Sequence, residues 1–279
     1  MIYSCGVFGI SRQAYYKQKI SIAAKQVQAE DVVSKVLDVR ISMPRVGTRK
    51  LYYLLGQDLL VGRDKLFSIL RANNMLIKPH RSYTKTTMSK HWLHKYPNLM
   101  KGIELNRPNQ VYVSDITYIK SKEKTHYLSL VTDAYSRKIV GYHLSDDLNA
   151  ESVLKAMKMA VKGRNKNVPL IHHSDRGLQY CSTVYQNLLE KYRIIPSMTD
   201  GYDCYQNALA ERINGILKQE FLFCRCNKRQ DLSDLIKQSV NIYNSRRPHL
   251  ALNMKTPNFV HQKQITNRNK STGYLDILV

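Results

Sequence analysis

The sequence predicts a mixed α/β domain, with a five-stranded sheet flanked by helices, preceded by a small helical region. Two observations predict this division. From about residue 109 onward, runs rich in Val, Ile and Tyr alternate with helical runs. Before residue 78, apolar residues recur at helical spacing between glycines. We therefore expect a helical region over 1–77, a basic linker over 78–108, an α/β core over 109–262 and a tail over 263–279.

The N-terminal region is predicted to form short helices. Asp31 can cap a helix over 32–40, Thr48 can cap a second, and a third follows. Basic residues remain for the surface of this region, and those that we expect to meet DNA are Arg63, Lys65 and Arg71. A helix-turn-helix-like DNA-binding module and a plain helical bundle with solvated basic faces both fit this pattern.

The segment 78–108 is polar, basic and aromatic, with weak periodicity. This composition is typical of a linker, and its Lys, Arg and His residues could lie along a phosphate backbone. An ordinary solvated linker explains any single one of these residues equally well.

The predicted core begins with three strand-like runs separated by turn-like stretches. Asn149 can then cap a helix whose apolar residues, among them Val153 and Met157, fall on one face. A fourth strand, a helix beginning near Ser182, a short fifth strand and a long helix follow, and a last helix is expected over 231–245. Three consecutive strands before the alternation predict a mixed sheet that starts with a hairpin.

The charge balance predicts a polyanionic partner. The 279 residues include 44 Lys and Arg against 21 Asp and Glu, which gives a formal net charge of +23 and a pI of about 9.8. Nucleic acid is the first candidate for matching such an excess. A ribosome-like basic protein, or a merely soluble one, would also account for the charge alone.

The sequence shows no run of about 18 apolar residues, the length that a membrane span needs. Near Met1 it shows neither the charged start nor the small-residue cleavage site of a signal peptide. Five scattered cysteines fit a reducing compartment better than a disulfide framework. We therefore expect a cytoplasmic protein without membrane contact. The cysteines are Cys5, Cys181, Cys204, Cys224 and Cys226.

Three acidic residues are at odds with their surroundings. Asp115 lies in the middle of an apolar strand, where a carboxylate is costly unless it is paired or metal-bound. Asp175 lies where the fourth strand gives way to a turn, and Glu211 lies on the long helix. Carboxylates of this kind could clamp two divalent cations for chemistry on a phosphodiester.

Other acidic residues compete for that role, and periodicity does not choose among them. A strand Asp can simply be an edge residue, and a helix Glu is usually solvated. His172 and His173, which precede Asp175, are more readily explained as core histidines than as ligands. The competing acids are Asp133, Asp146, Asp147, Asp200 and Asp203.

The spacing and the local motifs resemble a known family. Between Asp115 and Asp175 lie 59 residues, and between Asp175 and Glu211 lie 35. This spacing resembles the D, D-35-E signature of the retroviral-integrase superfamily, and more closely that of insertion-sequence transposases encoded by a downstream second reading frame. The matching motifs, in order, are NQVYVSDITYI, VTDAYSRKIVGYHL, HHSDRGLQY, NALAERINGILKQE and YNSRRPHLAL.

The resemblance implies a ribonuclease H-like fold in which Asp115, Asp175 and Glu211 are the catalytic, metal-binding triad. It implies two Mg²⁺ ions, with Mn²⁺ as a substitute, that serve first in nicking at the element's end. The freed 3′-hydroxyl then attacks another phosphodiester, which is strand transfer. The resemblance further implies phosphate contacts by basic residues, and we expect these at Arg212, Lys218, Arg246 and Arg247.

The resemblance also implies partners. These are double-stranded DNA, as element ends and as target, further copies of the chain on that DNA, and an upstream-frame protein or fusion. A bacterial, nucleoid-associated protein is expected. Two alternatives stay open: a nuclease of the same fold that does not join strands, and a non-catalytic DNA-binding derivative.

Overall fold

The computed structural model describes residues 7, 9–78, 92–200, 207–223 and 225–262. The chain divides into two compact units, Met1–Lys78 and Pro79–Val279, and each has its own core. The predicted tail over 263–279, the linker residues 79–91 and the competing acid Asp203 lie outside the described residues.

The first unit is helical. Its helices are α1 (Arg12–Ser42), α2 (Thr48–Leu55) and α3 (Arg63–Ala72). The C-terminal half of α1 packs with α2 and α3, because its buried residues Val32 and Val36 lie four positions apart on one face. The other buried apolar residues of this unit are Met43, Val46, Leu51, Leu59, Leu66, Ile69 and Leu70.

The prediction that Asp31 caps a short helix is wrong. Asp31 lies within α1 and forms an ion pair with Lys35 one turn later, with 2.7 Å between Oδ2 and Nζ. The cap is Ser11, whose side chain accepts a hydrogen bond from the backbone N–H of Ala14 at 3.0 Å. Because no Gly or Pro occurs between Arg12 and Ser42, nothing in the sequence ends the helix earlier.

The second unit contains the predicted five-stranded mixed sheet, in the order β3-β2-β1-β4-β5. The first three strands form an antiparallel meander, and β4 and β5 add in parallel beside β1. The hairpin-first prediction is confirmed. The strands are β1 (Val111–Lys120), β2 (Thr125–Asp133), β3 (Ile139–Ser145), β4 (Leu170–Ser174) and β5 (Ile194–Met198).

Helices connect and cover the strands. They are α4 (Ala150–Ala160), α5 (Leu178–Cys181), α6 (Thr183–Lys191), α7 (Ala208–Ile216) and α8 (Arg229–Ser245). Asn149 caps α4 as predicted, since its side chain accepts from the N–H of Ser152 at 3.1 Å. The long helix predicted to contain Glu211 consists of α7 and a π-helical turn over Leu217–Phe221, called the π turn below.

The two faces of the sheet carry different layers. Successive side chains of β1 alternate between them, so Tyr112 joins a core with α4, α5 and α6, whereas Val111 and Val113 join one with α7. By the same alternation, Asp115 shares its face with Val113, on the side of α7. This placement brings the strand of Asp115 and the helix of Glu211 together.

Gly141 on β3 allows α4 to approach the sheet very closely. A Cβ atom at this position would stand 2.1 Å from the carbonyl oxygen of Ala156 and 2.9 Å from the Cβ of Ala160. Any side chain there would force α4 away from β3, so the absence of a side chain sets the spacing of this layer.

The described part of the predicted linker packs on the second unit. Leu93 and Tyr96 contact the core on the side of α4, and Met100 and Ile103 contact the core on the side of α7. The carbonyl of Pro97 also accepts from β5. Residues 92–108 therefore belong structurally to the α/β unit.

Among the helices that the structure describes, none is both long and apolar enough to cross a membrane.

Candidate active site

Asp115 lies near the middle of β1 and is half-buried. Its Oδ1 accepts from the N–H of Ile116 at 2.9 Å, and its Oδ2 accepts from Nδ2 of Asn214 on α7 at 2.8 Å. Burial, followed by the negative charge of Asp175, raises its pKa to about 7, although both hydrogen bonds oppose the shift; Glu211 adds a further increase. Asp115 is therefore a carboxylate held among other carboxylates.

Asp175 directly follows Ser174, the last residue of β4. Val113 lies opposite His173 in the parallel ladder, so Asp175 and Asp115 each come two residues later along neighbouring strands. The N–H of Gly177 donates to Oδ1 of Asp175 at 3.1 Å, and this contact fixes the carboxylate against the turn that leads into α5. The sequence predicts Asp175 at the end of a strand. Because that strand, β4, pairs with β1, Asp175 lies beside Asp115.

Glu211 lies in the first turn of α7 and is exposed. The carboxyl group is nevertheless partly buried, and this burial, followed by the charge of Asp175, raises the pKa of Glu211 above its ordinary value. Because Asp175 acts on both Asp115 and Glu211, and Glu211 acts on Asp115, the three predicted acids form one electrostatically coupled group. Like charges that are held together favour protonation or a bound cation.

The three carboxylates are nevertheless not drawn around a common point. Within the described ranges, no set of three or more His, Cys, Asp or Glu side chains is gathered closely enough to hold a metal ion. The donor atoms are all carboxylate oxygens, which are the ligands that Mg²⁺ and Mn²⁺ prefer. The chemistry of the group therefore fits a hard divalent cation, and metal binding would require the side chains to converge.

Two asparagines hold α7 against β1. Asn207 precedes the helix and donates from Nδ2 to the carbonyl oxygen of Ser114 at 3.1 Å, next to Asp115. Asn214, two turns later, donates to Asp115 itself. Sequence reasoning did not identify Asn214, although its position three residues after Glu211 places it on the same side of the helix.

Lys218 is a basic residue beside the acids. Its Nζ donates to Oγ1 of Thr117 on β1 at 3.1 Å. Burial lowers its pKa, and the negative charge of Asp115 opposes that shift. Arg212 and Arg246, also predicted to meet DNA, are exposed. These residues could each offer a positive charge to a phosphate.

Arg247, the last of the residues predicted to meet DNA, has internal partners in this structure. It is only 3% exposed and forms a bidentate ion pair with Glu220, with Nε donating to Oε2 at 2.7 Å and Nη2 to Oε1 at 2.6 Å. Its Nη1 donates to Nε2 of His249 at 3.0 Å. These partners are internal to the unit, and the predicted phosphate contact by Arg247 stays a prediction.

The basic residues of α3 are exposed, as a role in DNA binding requires. Arg63 forms an ion pair with its neighbour Asp64 at 2.9 Å, with both side chains largely in solvent. A solvent-exposed ion pair of this kind contributes little to stability, so Arg63 could exchange Asp64 for a DNA phosphate. The predicted contacts at Arg63, Lys65 and Arg71 stay predictions.

The described competitors of the triad have other partners. Asp133 is fully buried and accepts from Ser136, Asp146 lies among Lys124, His126 and Arg229, and Asp200 pairs with Lys101 at 2.9 Å. Asp147 is exposed on the loop after β3. The charges that raise the pKa of Asp115 are instead those of Asp175 and Glu211.

The two histidines before Asp175 are core residues. Nε2 of His172 lies 2.9 Å from Oγ of Ser114 and 3.2 Å from the hydroxyl of Tyr185, and Nδ1 of His173 lies 2.9 Å from Oγ of Ser197. Burial lowers the pKa of His172 to about 3, so its ring is neutral at physiological pH. These histidines support the strands that carry the two aspartates.

Comparison with known proteins identifies the family of the chain. Two models described as integrase core domain match residues 106–204 and 192–257. The "Insertion element IS600 uncharacterized 31 kDa protein" of Shigella sonnei is 33% identical over 267 residues, covering 93% of this chain and 97% of that protein. "Transposase InsF for insertion sequence IS3A" of Escherichia coli (strain K12) is 30% identical over 222 residues, covering 77% of each.

Among solved structures, the HTLV-2 integrase catalytic core domain in complex with magnesium aligns with a TM-score of 0.45 and 22% identity, over 56% of this chain and 97% of that chain. A simian T-cell lymphotropic virus intasome in complex with a PP2A regulatory subunit aligns with a TM-score of 0.47 and 19% identity, over 77% and 70%.

The family matches cover the sheet, the acidic residues and the C-terminal motif, and they run in the order that the sequence predicted. The predicted ribonuclease H-like core with a helical region before it is confirmed. The chain therefore belongs to the integrase-core family of insertion-sequence transposases, within the retroviral-integrase superfamily.

Proposed function

We propose that this protein is a DNA transposase that cleaves DNA at the ends of an insertion sequence and joins the freed strands to a target. The observation that carries the proposal is the electrostatic coupling of Asp115, Asp175 and Glu211, three acids from three different elements. Such a concentration of like charge in a protein of net charge +23 is costly unless a bound cation offsets it.

Asp115, Asp175 and Glu211 would hold two Mg²⁺ ions, for which Mn²⁺ could substitute. When bound, the ions supply an activated water for cleavage and stabilise the charge that develops on the attacking and leaving oxygens. The fit rests on the all-oxygen donor set and on the raised pKa of Asp115, since a cation would favour the carboxylate that burial disfavours.

The other residues of the site bind and orient. Asn214 fixes the Oδ2 of Asp115, so that the carboxylate keeps one orientation. The ammonium group of Lys218, beside Thr117, is available to a phosphate of the DNA end, and the exposed Arg212 and Arg246 extend the positive surface. In this arrangement the basic residues hold the DNA and the acidic residues act on it.

The proposed partners follow from the chemistry. Double-stranded DNA is both the element end and the target, and the basic surface of α3, with Arg63, Lys65 and Arg71, is a second proposed contact with it. Because both ends of an element must be cut, we propose that several copies of the chain act together on DNA. An upstream-frame protein or fusion is a further proposed partner.

The test uses a labelled duplex taken from the terminal inverted repeat of the element, with and without Mg²⁺. We expect Mg²⁺-dependent nicking and joining to a second duplex by the wild-type protein. We expect Glu211→Gln to lower the cleavage rate on the order of 10³-fold or more while DNA binding is kept. Glu190→Gln is the matched control, because Glu190 is an exposed glutamate at the end of α6.

Three outcomes would contradict parts of the proposal. Cleaved strands that never join a second duplex would indicate a nuclease of the same fold. DNA binding without any Mg²⁺-dependent cleavage would indicate a non-catalytic derivative. Cleavage by Glu211→Gln at the wild-type rate would remove Glu211 from the active site.

A further inference from the structure

In the C-terminal motif YNSRRPH, Arg246 belongs to the proposed DNA-binding surface, whereas Arg247 is buried and has no part in the chemistry proposed so far. We propose that Arg247 and Glu220 are positioning residues: their ion pair fixes the π turn and thereby holds Lys218 beside the strand that carries Asp115. This inference rests on the proposed function, because it assigns a role to Lys218 in DNA cleavage.

The π turn (Leu217–Phe221) continues α7 directly and is held on two sides. Leu217 and Phe221 are buried in the unit. Between them, Lys218 reaches β1 through Thr117, and Glu220 reaches the C-terminal motif through Arg247. A single helical turn therefore carries both the link to the sheet and the link to the C-terminal motif.

The turn needs such an anchor because its hydrogen bonding departs from that of an α-helix. The N–H of Leu222 donates to the carbonyl of Leu217 at 2.8 Å, which spans five residues. Single π turns within helices are uncommon and less regular, and they occur often at functional sites. Without a second contact, rotation of the turn would carry the Nζ of Lys218 away from Thr117.

Arg247 is itself rigidly held. Its guanidinium carbon lies 5.8 Å from the ring centroid of Tyr243 on α8, and Nη1 donates to His249. The rings of Tyr243 and His249 meet edge to face, with 5.0 Å between centroids. The hydroxyl of Tyr243 donates to the carbonyl of Arg137 at 2.9 Å, in the turn between β2 and β3.

These contacts form a closed path through the α/β unit. The path runs from the turn at Arg137 through Tyr243 to Arg247, then to Glu220 on the π turn, and through Lys218 back to β1. A bidentate ion pair fixes orientation as well as distance, which a single hydrogen bond does not do. The path therefore fixes the position of the Lys218 ammonium relative to Asp115.

A double-mutant cycle tests this role. We expect Lys218→Met to lower the rate of DNA cleavage on the order of 100-fold. Arg247→Met should lower the rate about tenfold or more in the wild-type background, and less than about twofold in the Lys218→Met background. Rates are divided by the folded fraction, and Lys237→Met, on the exposed face of α8, controls for loss of one positive charge.

An equal loss in both backgrounds would overturn the proposal, because a general structural role acts whether or not Lys218 is present. If Arg247→Met does not fold, the cycle is run with Glu220→Met and Arg247→Met together. That pair removes both buried charges at once and avoids an unpaired one. The same two outcomes then decide.

A second measurement does not depend on activity. Hydrogen exchange, followed by mass spectrometry, should become faster over the π turn in Arg247→Met and stay unchanged in α4. Exchange that rises equally in both segments, or in neither, would overturn the proposal. An inactive wild-type protein would contradict the proposed function, and the exchange result would still decide whether Arg247 orders the turn.

Discussion

Asp115 and Asp133 lie on the paired strands β1 and β2, yet their surroundings are opposite. Asp133, at the end of β2, accepts from the N–H of Asn109 at 2.6 Å and from both the N–H and the hydroxyl of Ser136 at 2.7 Å. His261 lies 4.0 Å from the same carboxylate. Asp115 has two donors, but it also faces two other acids.

The difference separates a structural acid from one that we propose to be functional. The carboxylate of Asp133 accepts hydrogen bonds from three donors within the fold. Asp115 is buried beside two other acids, so its negative charge is disfavoured unless a cation binds nearby. In sequence, each is an aspartate within an apolar strand, and only the neighbours that folding brings together distinguish them.

The largest expected effect is at the structural acid. Asp133→Ala leaves buried donors without an acceptor, so we expect the free energy of unfolding to fall by about 3 kcal/mol or more. Urea denaturation measures this change. Asp234→Ala, on the exposed face of α8, is the control and should change the free energy by less than about 0.5 kcal/mol. An equally small change at Asp133 would remove the contrast.

At Asp115 we expect a substitution to raise the free energy of unfolding, not to lower it. Its folded-state pKa of about 7 lies above the ordinary 3.8, so between these pH values the folded protein keeps a proton that the unfolded chain loses. The free energy of unfolding therefore falls as pH rises through this window. Without added metal, Asp115→Asn should be more stable than wild type at pH 8 by about 1–3 kcal/mol.

That stabilisation should disappear at low pH. Near pH 4, both the wild-type acid and the Asn variant are uncharged in the folded state, so their difference should shrink toward zero. Urea denaturation across the pH range measures this. A variant less stable than wild type at pH 8 would show that the fold stabilises the Asp115 carboxylate, and would contradict this prediction.

The smallest expected effect concerns the cation. Mg²⁺ at about five times its dissociation constant should stabilise the wild-type protein by about 1 kcal/mol, measured as a rise in melting temperature. Asp115→Asn should lose this rise, and Glu190→Gln should keep it. An equal rise in all three proteins would indicate that Mg²⁺ binds elsewhere.

The sequence predicted the parts of the fold that local patterns determine. The strands of the meander, the cap at Asn149 and the helix beginning after Ser182 depend on alternation and on short-range hydrogen bonding, and the structure confirms them. The site could be predicted only by spacing and motif. The structure adds that Asp115, Asp175 and Glu211 act on one another, and their role as metal ligands stays a proposal.

What the sequence could not show depends on long-range contacts. Arg247 looks like any arginine of a basic protein until Glu220, 27 positions earlier, is placed against it. Asn214 is an ordinary helix residue until β1 brings Asp115 within hydrogen-bonding distance. The length of α1 was missed because its N-terminal half is polar and carries little periodicity.

The missing side chain at Gly141 has a consequence for how the molecule can move. With the backbone of α4 resting directly on β3, that layer has no room to slide or tilt against the sheet. If the three acids converge on metal ions as proposed, we therefore expect the movement in the opposite layer, which α7 occupies. The layer that contains α4 would stay fixed against the sheet, and the layer that contains α7 would move.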